Sequence, residues 1–353
     1  NKNYKKLIKQ AKFFNVKNLV ITDYNSFLIV TKLLKNSKIK VFKNFDLLNK
    51  IFDIDNKIDY SMCAISGFEG LKPTLDIVRY TKNIAIANKE SIICGWNLIK
   101  KDLKKYKTNF IPVDSEHFSI WSLLNNGKKT NLEKIYITAS GGPFRTLPLN
   151  KFKNISIKDA LKHPNWSMGK KITIDSATMM NKVFEIIEAK KIFNFNYKQI
   201  EILIHPKSYL HAIVKFDNGL SKFLIHDTNM IIPIFNSIYF NTNKKLKSKN
   251  IDINILNNLD LKKIDNIRFP VINILNKMNE NDSLFETVIV SANDKLVNLF
   301  LKDKIKFNDI SNILIKICNS AQFNKFKSIK PKNIGEINDL ADYVSLKIDS
   351  MSV

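Results

Sequence analysis

Arginine is nearly absent from a strongly basic chain. The 353 residues include 57 Lys and Arg against 32 Asp and Glu, a formal net charge of +25. Only Arg79, Arg145 and Arg268 are arginines, and the lysines are scattered among Asn and Ile. A surface that reads bases favours arginine, because its forked guanidinium pairs with guanine. The composition therefore argues against nucleic-acid binding, whereas a basic field can attract phosphorylated small molecules.

Cysteine is scarce too, and long apolar runs are missing. Cys63, Cys94 and Cys318 lie far apart and are odd in number. They fit neither a disulfide framework nor the spacing of a zinc site, so we expect a reducing compartment. No stretch approaches the roughly 20 apolar residues that a membrane helix needs. We expect no membrane partner.

The remaining composition is that of a globular protein. Hydrophobic residues make up 44% and charged residues 25% of the chain, with nine Gly and nine Pro, which argues against a disordered or low-complexity protein. The length suggests two or three domains, at roughly 100–200 residues per domain. Residue 1 is Asn, and no charged-then-apolar leader follows it. We expect that the chain was processed or that its true start is missing.

Strand-like and helical patterns alternate through the first part of the chain. A Lys-rich helix is predicted at residues 4–13, and strands are predicted at residues 18–22, 39–42, 61–65, 84–87 and 110–113. This alternation is typical of βαβ units on a parallel sheet, where ligands bind at the strand ends. We therefore predict an α/β fold.

The later part of the chain combines predicted strands, a polar connection and a run of predicted helices. Further strands are predicted at residues 135–138, 201–205 and 212–216, followed by a polar connection over residues 241–264. From about residue 269 the pattern indicates amphipathic helices, for example at residues 269–278 and 294–300.

Two carboxylates follow the predicted strand that ends at Val113. Asp114 and Glu116 lie two residues apart, so an extended backbone would point both to one side, with the hydroxyl of Ser115 nearby. Paired carboxylates suit a hard divalent cation such as Mg²⁺ or Mn²⁺. Taken alone, the tripeptide is more typical of a solvated strand end than of a metal site.

A second polar cluster lies at residues 171–185, which we predict as a strand that runs into a helix. Helical spacing places Asn181, Lys182 and Glu185 on one side, and Ser176 at the helix start, where hydroxyl and N–H groups can hold a phosphate. A third carboxylate beside phosphate-type ligands indicates a metal-dependent site for a phosphorylated substrate. The alternative is an ordinary amphipathic helix with an ion pair.

Three shorter segments add candidate ligands. Ser140 precedes two glycines after a strand, residues 163–169 form a Trp-bearing loop that suits a mobile lid, and Lys89 follows another strand. Each also has a structural explanation: a plain turn, a loop with a partly buried Trp, and a surface Lys–Glu pair.

Together these segments resemble the 1-deoxy-D-xylulose 5-phosphate reductoisomerases, which use NADPH and a metal to make 2-C-methyl-D-erythritol 4-phosphate. The segments that carry the resemblance, in order, are residues 87–91, 112–117, 139–145, 163–169, 175–182 with Glu185, and 204–208 with His211. The resemblance extends more weakly from residue 1 to the helical tail.

The resemblance implies a role for each matching residue. The implied metal ligands are Asp114, Glu116 and Glu185. The residues implied to take part in catalysis are Lys89, Glu116, His163 and His211. The implied substrate contacts are Ser115, Ser140, His163, Trp166, Ser176, Asn181, Lys182 and Glu185. The implied cofactor contacts are Lys2, Asn3, Asn88, Glu90, Gly169 and Met230.

The resemblance also implies an architecture. It comprises a Rossmann-like parallel sheet as NADPH-binding domain (residues 1–113), an α+β catalytic domain (114–240), a connecting segment (241–265) and a C-terminal helical domain (266–353). The family's opening strand and Gly-rich turn have no counterpart, so the first domain is expected to be truncated and to bind NADPH poorly. A homodimer in the bacterial cytoplasm is implied, with a plastid origin as the alternative.

Two other functions compete with this hypothesis. One is a Rossmann-type dehydrogenase that acts on a phosphorylated substrate without a metal. The other is a non-catalytic basic binding protein, which would bind random duplex in a salt-sensitive manner.

Overall fold

The computed structural model describes residues 2–124 and 132–351. In its N-terminal part all strands are parallel. Strands β1 (Asn18–Val20) and β2 (Lys40–Phe42) form one sheet, and β3 (Ile58–Cys63), β4 (Thr81–Ile86) and β5 (Asn109–Pro112) form a second sheet with β4 in the centre. The predicted α/β alternation is confirmed.

The helices of this part connect the strands. They are α1 (Tyr4–Phe13), α2 (Tyr24–Leu33), α3 (Leu71–Val78) and α4 (Lys89–Tyr106), with 3₁₀ turns at Phe45–Lys50 and Phe68–Gly70. The prediction of a helix at residues 4–13 is confirmed. Helix α4 begins at the carboxyl end of β4, where the Asn88 side chain accepts a hydrogen bond from the Ser91 N–H. This cap places Lys89 beside the sheet edge at which ligands bind.

A five-stranded mixed sheet follows in the chain. Its strands are β6 (Leu132–Ala139), β7 (Ile200–Ile204), β8 (Leu210–Phe216), β9 (Ser221–Ile225) and β10 (Lys262–Lys263). Their order is β10-β7-β6-β8-β9, and only the β6–β7 pair is parallel. The sequence patterns predicted the three inner strands and missed the two edge strands.

The remaining helices cover this sheet and form the tail. They are α5 (Ser115–Leu124), α6 (Ile157–Ala160), α7 (Lys170–Thr178), α8 (Met180–Phe193), α9 (Ile231–Ile238), α10 (Ile253–Asn257), α11 (Phe285–Leu301), α12 (Phe307–Asn319), α13 (Ala321–Asn324) and α14 (Ile334–Met351). Further 3₁₀ turns are Leu149–Asn154, Tyr197–Gln199, Pro270–Lys277 and Lys325–Ser328. The helical tail is confirmed, although residues 270–277 form a 3₁₀ helix rather than an α-helix.

The strand predicted from residue 171 is wrong, because these residues form α7. The run of β-branched residues at positions 172–174 indicated a strand, but such preferences are weak and depend on packing. Here Thr173, Ile174 and Asp175 are all buried, and α7 contacts both α8 and α11. Burial on more than one side stabilises the helix against the local preference.

One continuous core links most of these elements. It runs from Leu71 in α3 to Ile348 in α14 and includes nearly all of the apolar residues of α8. A smaller core around Ala11, Leu19 and Val30 joins α1, β1 and α2. Among the helices of residues 2–124 and 132–351, none is long and apolar enough to cross a membrane.

Candidate active site

Three carboxylates converge where β5, α5 and α8 meet. Asp114 follows β5, Glu116 lies in the first turn of α5, and Glu185 lies in the middle of α8. One oxygen from each carboxylate lies within 4.8 Å of the other two. Glu185 is buried and the other two are half-buried, so the cluster faces the interior of the molecule.

The backbone at the first two carboxylates is helical rather than extended. The expectation that an extended strand aligns Asp114 and Glu116 is wrong, because α5 begins at Ser115. The Asp114 carboxylate accepts hydrogen bonds from the backbone N–H of Glu116 (3.1 Å) and of His117 (3.4 Å), as at a helix N-cap. The side chains still converge, since the capping carboxylate and the first helical turn lie on the same end of α5.

His117 joins two of the carboxylate-bearing elements. Its Nε2 lies 2.8 Å from the backbone oxygen of Glu185; because a carbonyl only accepts, Nε2 carries the proton. Its Nδ1 lies 3.4 Å from the Asp114 carboxylate. The ring therefore fixes the spacing between α5 and α8.

Two ammonium groups, of half-buried Lys89 and buried Lys182, hold the carboxylates. Lys89 donates to Asp114 (2.8 Å) and to Glu188 (3.0 Å). Lys182 donates to the Thr138 carbonyl (2.6 Å), to Glu116 (3.2 Å) and to Glu185. Two cations thus face four carboxylates.

The excess of negative charge shifts the pKa values of these carboxyl groups. Burial opposes ionisation of Asp114, but the surrounding positive charges, of which Lys89 contributes most, together outweigh it and hold the Asp114 pKa well below its usual range. Burial and the neighbouring Glu116 carboxylate raise the pKa of Glu185 to about 8, despite Lys182. Oxygen ligands with surplus negative charge are what Mg²⁺ and Mn²⁺ prefer. The residues present therefore fit a divalent metal.

Beside the carboxylates lies a group of polar side chains that we call the cradle, formed by Ser140, Ser176, Asn181 and Lys182. After β6 the backbone of Gly141 and Gly142 adopts φ values of +81° and +64°, which favour glycine. A Cβ on Gly142 would lie 2.9 Å from the carbonyl oxygen of Ser176, so the turn packs directly on the end of α7. Ser176 lies in the last turn of α7 rather than at a helix start, which corrects the expected position.

Two side chains of the cradle, Ser140 and Asn181, have hydrogen-bonding capacity to spare. The Ser140 hydroxyl oxygen accepts from the Gly142 N–H (3.1 Å), which leaves its own proton to donate. Asn181 and Lys182 both reach Glu185 from α8, as the helical spacing predicts. The Asn181 side-chain oxygen is buried without a hydrogen-bond partner among the described residues. Hydroxyl, amide N–H and ammonium groups donate hydrogen bonds to phosphate oxygens, whereas the Asn181 oxygen can only accept, for example from a substrate hydroxyl group.

The loop between α6 and α7 closes over the cradle. His163 Nδ1 accepts from the backbone N–H of Asn165 (3.1 Å) and of Trp166 (2.9 Å), so the proton of the neutral ring lies on Nε2, 3.1 Å from the Ser140 oxygen. The Asn165 amide donates to the Pro206 carbonyl (2.6 Å) and to Ser208 (3.0 Å). We call residues 161–169 the flap.

Carboxylates, cradle and flap line one cavity of about 390 Å³. The predicted site residues on its wall are Lys89, Asp114, Ser115, Glu116, Ser140, His163, Trp166, Ser176, Asn181, Lys182, Glu185 and Met230. Met62, Ala64, Met168 and Ile234 make part of the wall apolar. The structure thus brings these predicted residues together around one space.

The other predicted residues lie outside that wall. Gly169 is the N-cap of α7, Asn88 is the buried N-cap of α4, and Glu90 is buried against Lys171. Asn3 caps α1 at the surface, and Lys2 precedes it. A separate cleft of about 890 Å³ at the carboxyl ends of β1 and β3 is lined by Thr22, Asp23, Asn44, Ile65, Phe68 and Asp342, among others, and not by Lys2 or Asn3.

His211 lies behind the flap rather than on the cavity wall. It is 1% exposed, and its ring stacks on His226 with centroids 3.7 Å apart. Its Nε2 donates to the His226 carbonyl (3.2 Å), and Trp166 contacts its other side edge-on. Burial lowers the pKa of His211 well below its usual range, so the ring is neutral.

Sequence reasoning missed three residues that support the site: His117, Glu188 and His226. Glu188 lies one helical turn after Glu185, so the helical spacing of α8 could have indicated it. No sequence pattern connects His226 with His211, because the two residues are brought together only by the pairing of β8 with β9.

The structure is thus an α/β fold in which a carboxylate cluster suited to a divalent metal lies beside a polar cradle. A family model described as 1-deoxy-D-xylulose 5-phosphate reductoisomerase matches residues 1–95, and two models of reductoisomerase C-terminal domains match residues 110–193 and 226–344. The chain belongs to the 1-deoxy-D-xylulose 5-phosphate reductoisomerase family.

Individual reductoisomerases are similar to this chain over most of its length. The chain is 83% identical to the reductoisomerase of Pelagibacter ubique (strain HTCC1062) over 353 residues, which is all of this chain and 91% of that protein. It is 38% identical to that of Sulfurihydrogenibium sp. (strain YO3AOP1), with 82% of this chain and 76% of that protein covered. The Zymomonas mobilis enzyme in complex with NADPH matches with a TM-score of 0.88 at 30% identity, covering 100% and 90% of the two chains. A reductoisomerase with NADPH, fosmidomycin and magnesium also gives 0.88, at 28% identity and 99% and 89% coverage.

Proposed function

We propose that this cavity is where the chain carries out the reaction of its family. That reaction is the NADPH- and divalent-metal-dependent isomerisation and reduction of 1-deoxy-D-xylulose 5-phosphate to 2-C-methyl-D-erythritol 4-phosphate, a step in isoprenoid precursor synthesis by the non-mevalonate route. The observation that carries the proposal is the convergence of Asp114, Glu116 and Glu185 at the rim of the cradle.

The three carboxylates would hold Mg²⁺ or Mn²⁺. A cation bound there supplies a Lewis acid for the ketone and neighbouring hydroxyl oxygens of the substrate. Ser115 and Lys89 lie on the same wall and would donate hydrogen bonds to these oxygens. Lys89 also keeps Asp114 ionised, so that this carboxylate remains a ligand across the physiological pH range.

The cradle would bind the phosphate. Ser140 and Ser176 offer hydroxyl groups, Asn181 an amide and Lys182 a positive charge. The phosphate is remote from the reacting carbons, so its binding energy can be used to close the flap and exclude water. In the closed flap His163 contacts the substrate side of the cradle, Trp166 covers the cavity, and His211 supports Trp166 from behind.

The apolar wall around Met230 would receive the nicotinamide ring of NADPH. Gly169, Asn88 and Glu90 lie at the starts of α7 and α4 and would contact the cofactor from there. The cleft at the ends of β1 and β3 is suited to the adenosine end, since nucleotide cofactors bind at the carboxyl ends of parallel strands. We place Lys2 and Asn3 near the adenosine 2′-phosphate.

Three features of organisation belong to the same proposal. The chain comprises an NADPH-binding domain (residues 1–113), a catalytic domain (114–240), a connection (241–265) and a helical domain (266–353). It functions as a homodimer, and it does so in the bacterial cytoplasm.

The test combines turnover with metal binding. At NADPH concentrations well above its KM, we expect the chain to oxidise NADPH when given 1-deoxy-D-xylulose 5-phosphate and Mn²⁺. Asp114→Asn should reduce kcat by more than about 100-fold, since even the outer partners of metal ligands contribute 10–100-fold. Mn²⁺ affinity, measured by electron paramagnetic resonance, should fall in parallel. Glu133→Gln, which changes an exposed carboxylate on β6, is the control.

Two results would contradict the proposal. Full activity of Asp114→Asn would favour a metal-independent dehydrogenase. A folded wild-type chain that neither binds Mn²⁺ nor turns over the substrate would exclude the assignment of the site.

A further inference from the structure

A second charge cluster lies outside the cavity wall, where α4, α7 and α11 meet. The ammonium group of Lys171 lies 2.8 Å from Glu90, 2.8 Å from Asp294 and 3.8 Å from Asp175. Asn293 donates to the other oxygen of Asp175 at 2.7 Å. The three carboxylate side chains are 9%, 26% and 3% exposed, respectively, whereas the Lys171 side chain is 39% exposed, so the acids are largely shielded from water and Lys171 covers them from the outside.

One cation therefore faces three carboxylates. These neighbours raise the pKa of Lys171 even though burial opposes its charge. Burial raises the pKa of Asp175, and that of Asp294 to about 7. Without the ammonium group, the three acids would repel one another. The contacts between α4, α7 and α11 at this point therefore depend on Lys171.

Two of the three partners of Lys171 are adjacent in sequence to a group of the site. Glu90 follows Lys89, whose ammonium contacts Asp114. Asp175 precedes Ser176, which lines the cavity. Lys171 itself comes two residues after Gly169, at which the flap ends. One side chain thus connects the carboxylate end, the phosphate end and the base of the flap.

We propose that Lys171 is a positioning residue, which holds α7 against α4 so that the phosphate cradle and the cofactor-facing start of α4 keep their spacing. This inference rests on the proposed function, because it takes Ser176 and Glu90 to face substrate and cofactor. Displacements of about 1 Å at a site can cost up to 100-fold in rate, so a residue that only sets spacing has a measurable effect.

Lys171→Met is expected to raise the KM for 1-deoxy-D-xylulose 5-phosphate and the KM for NADPH about tenfold each. The affinity for fosmidomycin, measured by calorimetry without turnover, should fall by a similar factor. Mn²⁺ affinity should change less than twofold, because Lys171 contacts none of the proposed metal ligands Asp114, Glu116 and Glu185.

Lys191→Met is the matched control. Lys191 is a more deeply buried lysine, 3% exposed, which contacts Asp282 and Glu286 at 2.5 and 2.9 Å, and it lies outside the cavity wall. Its loss should lower the melting temperature at least as much as Lys171→Met while both KM values stay within twofold. Lys171→Arg should restore most of the substrate affinity.

Asp294→Asn tests the same cluster if Lys171→Met does not fold. This substitution removes only the charge of the Lys171 partner on α11, and it should raise both KM values about threefold. The inference is wrong if Lys171→Met, or Asp294→Asn in its place, changes stability but neither KM, as Lys191→Met does. That outcome differs from failure of the proposed function, in which the wild-type chain itself lacks Mn²⁺ binding and turnover.

Discussion

At the scale of single residues, His163 shows how hydrogen bonds select a protonation state. Its Nδ1 accepts two backbone N–H groups, and a proton on that nitrogen would cost both bonds. Burial, with the nearby Lys182 charge, lowers the pKa of His163 to about 4. The neutral ring leaves Nε2–H to face Ser140, which suits a donor to substrate oxygens rather than a charged phosphate ligand.

The low pKa of His163 predicts a pH dependence. The unfolded chain takes up the proton near the usual histidine pKa of about 6.5, whereas the folded chain does so only near 4. The free energy of unfolding should therefore fall as pH drops from about 6.5 to 4. The free energy of unfolding of His163→Gln, measured by urea titration, should fall less steeply over the same pH range. A His163 ring that titrates near pH 6.5 by NMR would contradict this prediction.

At the scale of elements, the turn after β6 sets the position of α7. Gly142 has positive φ and also approaches the Ser176 carbonyl. Gly219, in the turn between β8 and β9, has a similar φ of +85° but no atom within 4 Å of an added Cβ. Comparing substitutions at these two glycines therefore distinguishes the effect of backbone strain, which both share, from the effect of the close contact, which only Gly142 has.

We expect Gly142→Ala to raise the KM for 1-deoxy-D-xylulose 5-phosphate about tenfold or more, because the added methyl group must push Ser176 away. Both Gly142→Ala and Gly219→Ala should lose about 1–3 kcal/mol of stability from the strained backbone. Only the first should alter KM. Equal KM values in the two variants would show that the turn does not control the cradle.

The elements also show what sequence reasoning can reach. Strands β4 and β5 and helix α1 follow from local periodicity, and the residues of the site lie close to the ends of such elements. The strand predicted at residues 171–174 failed because α7 is stabilised by burial between other helices, which no local pattern records. Edge strands β9 and β10 were missed, since a short strand depends on its partner. Contacts such as His211 with His226 depend on sheet register and are not encoded locally.

At the scale of the whole molecule, the site combines opposite charges within one positive field. The net charge of +25 attracts anions such as a sugar phosphate and NADPH. The carboxylates at the centre are the local exception, with more acids than ammonium groups around them. A divalent cation therefore removes a repulsion that the folded chain otherwise retains, so metal binding and stability are coupled.

This coupling predicts that Mn²⁺ stabilises the fold. A ligand at 100 times its Kd adds about 2.7 kcal/mol if it binds only the folded state, which corresponds to a rise of about 4 °C in melting temperature for a chain of this size. Excess EDTA should reverse the shift. In Glu185→Gln, which keeps the side-chain shape but removes the negative charge, most of the rise in melting temperature caused by Mn²⁺ should be lost. In Glu133→Gln this rise should be unchanged. If Glu185→Gln were stabilised as much as the wild type, Mn²⁺ would be binding elsewhere, and the three carboxylates would be a structural cluster only.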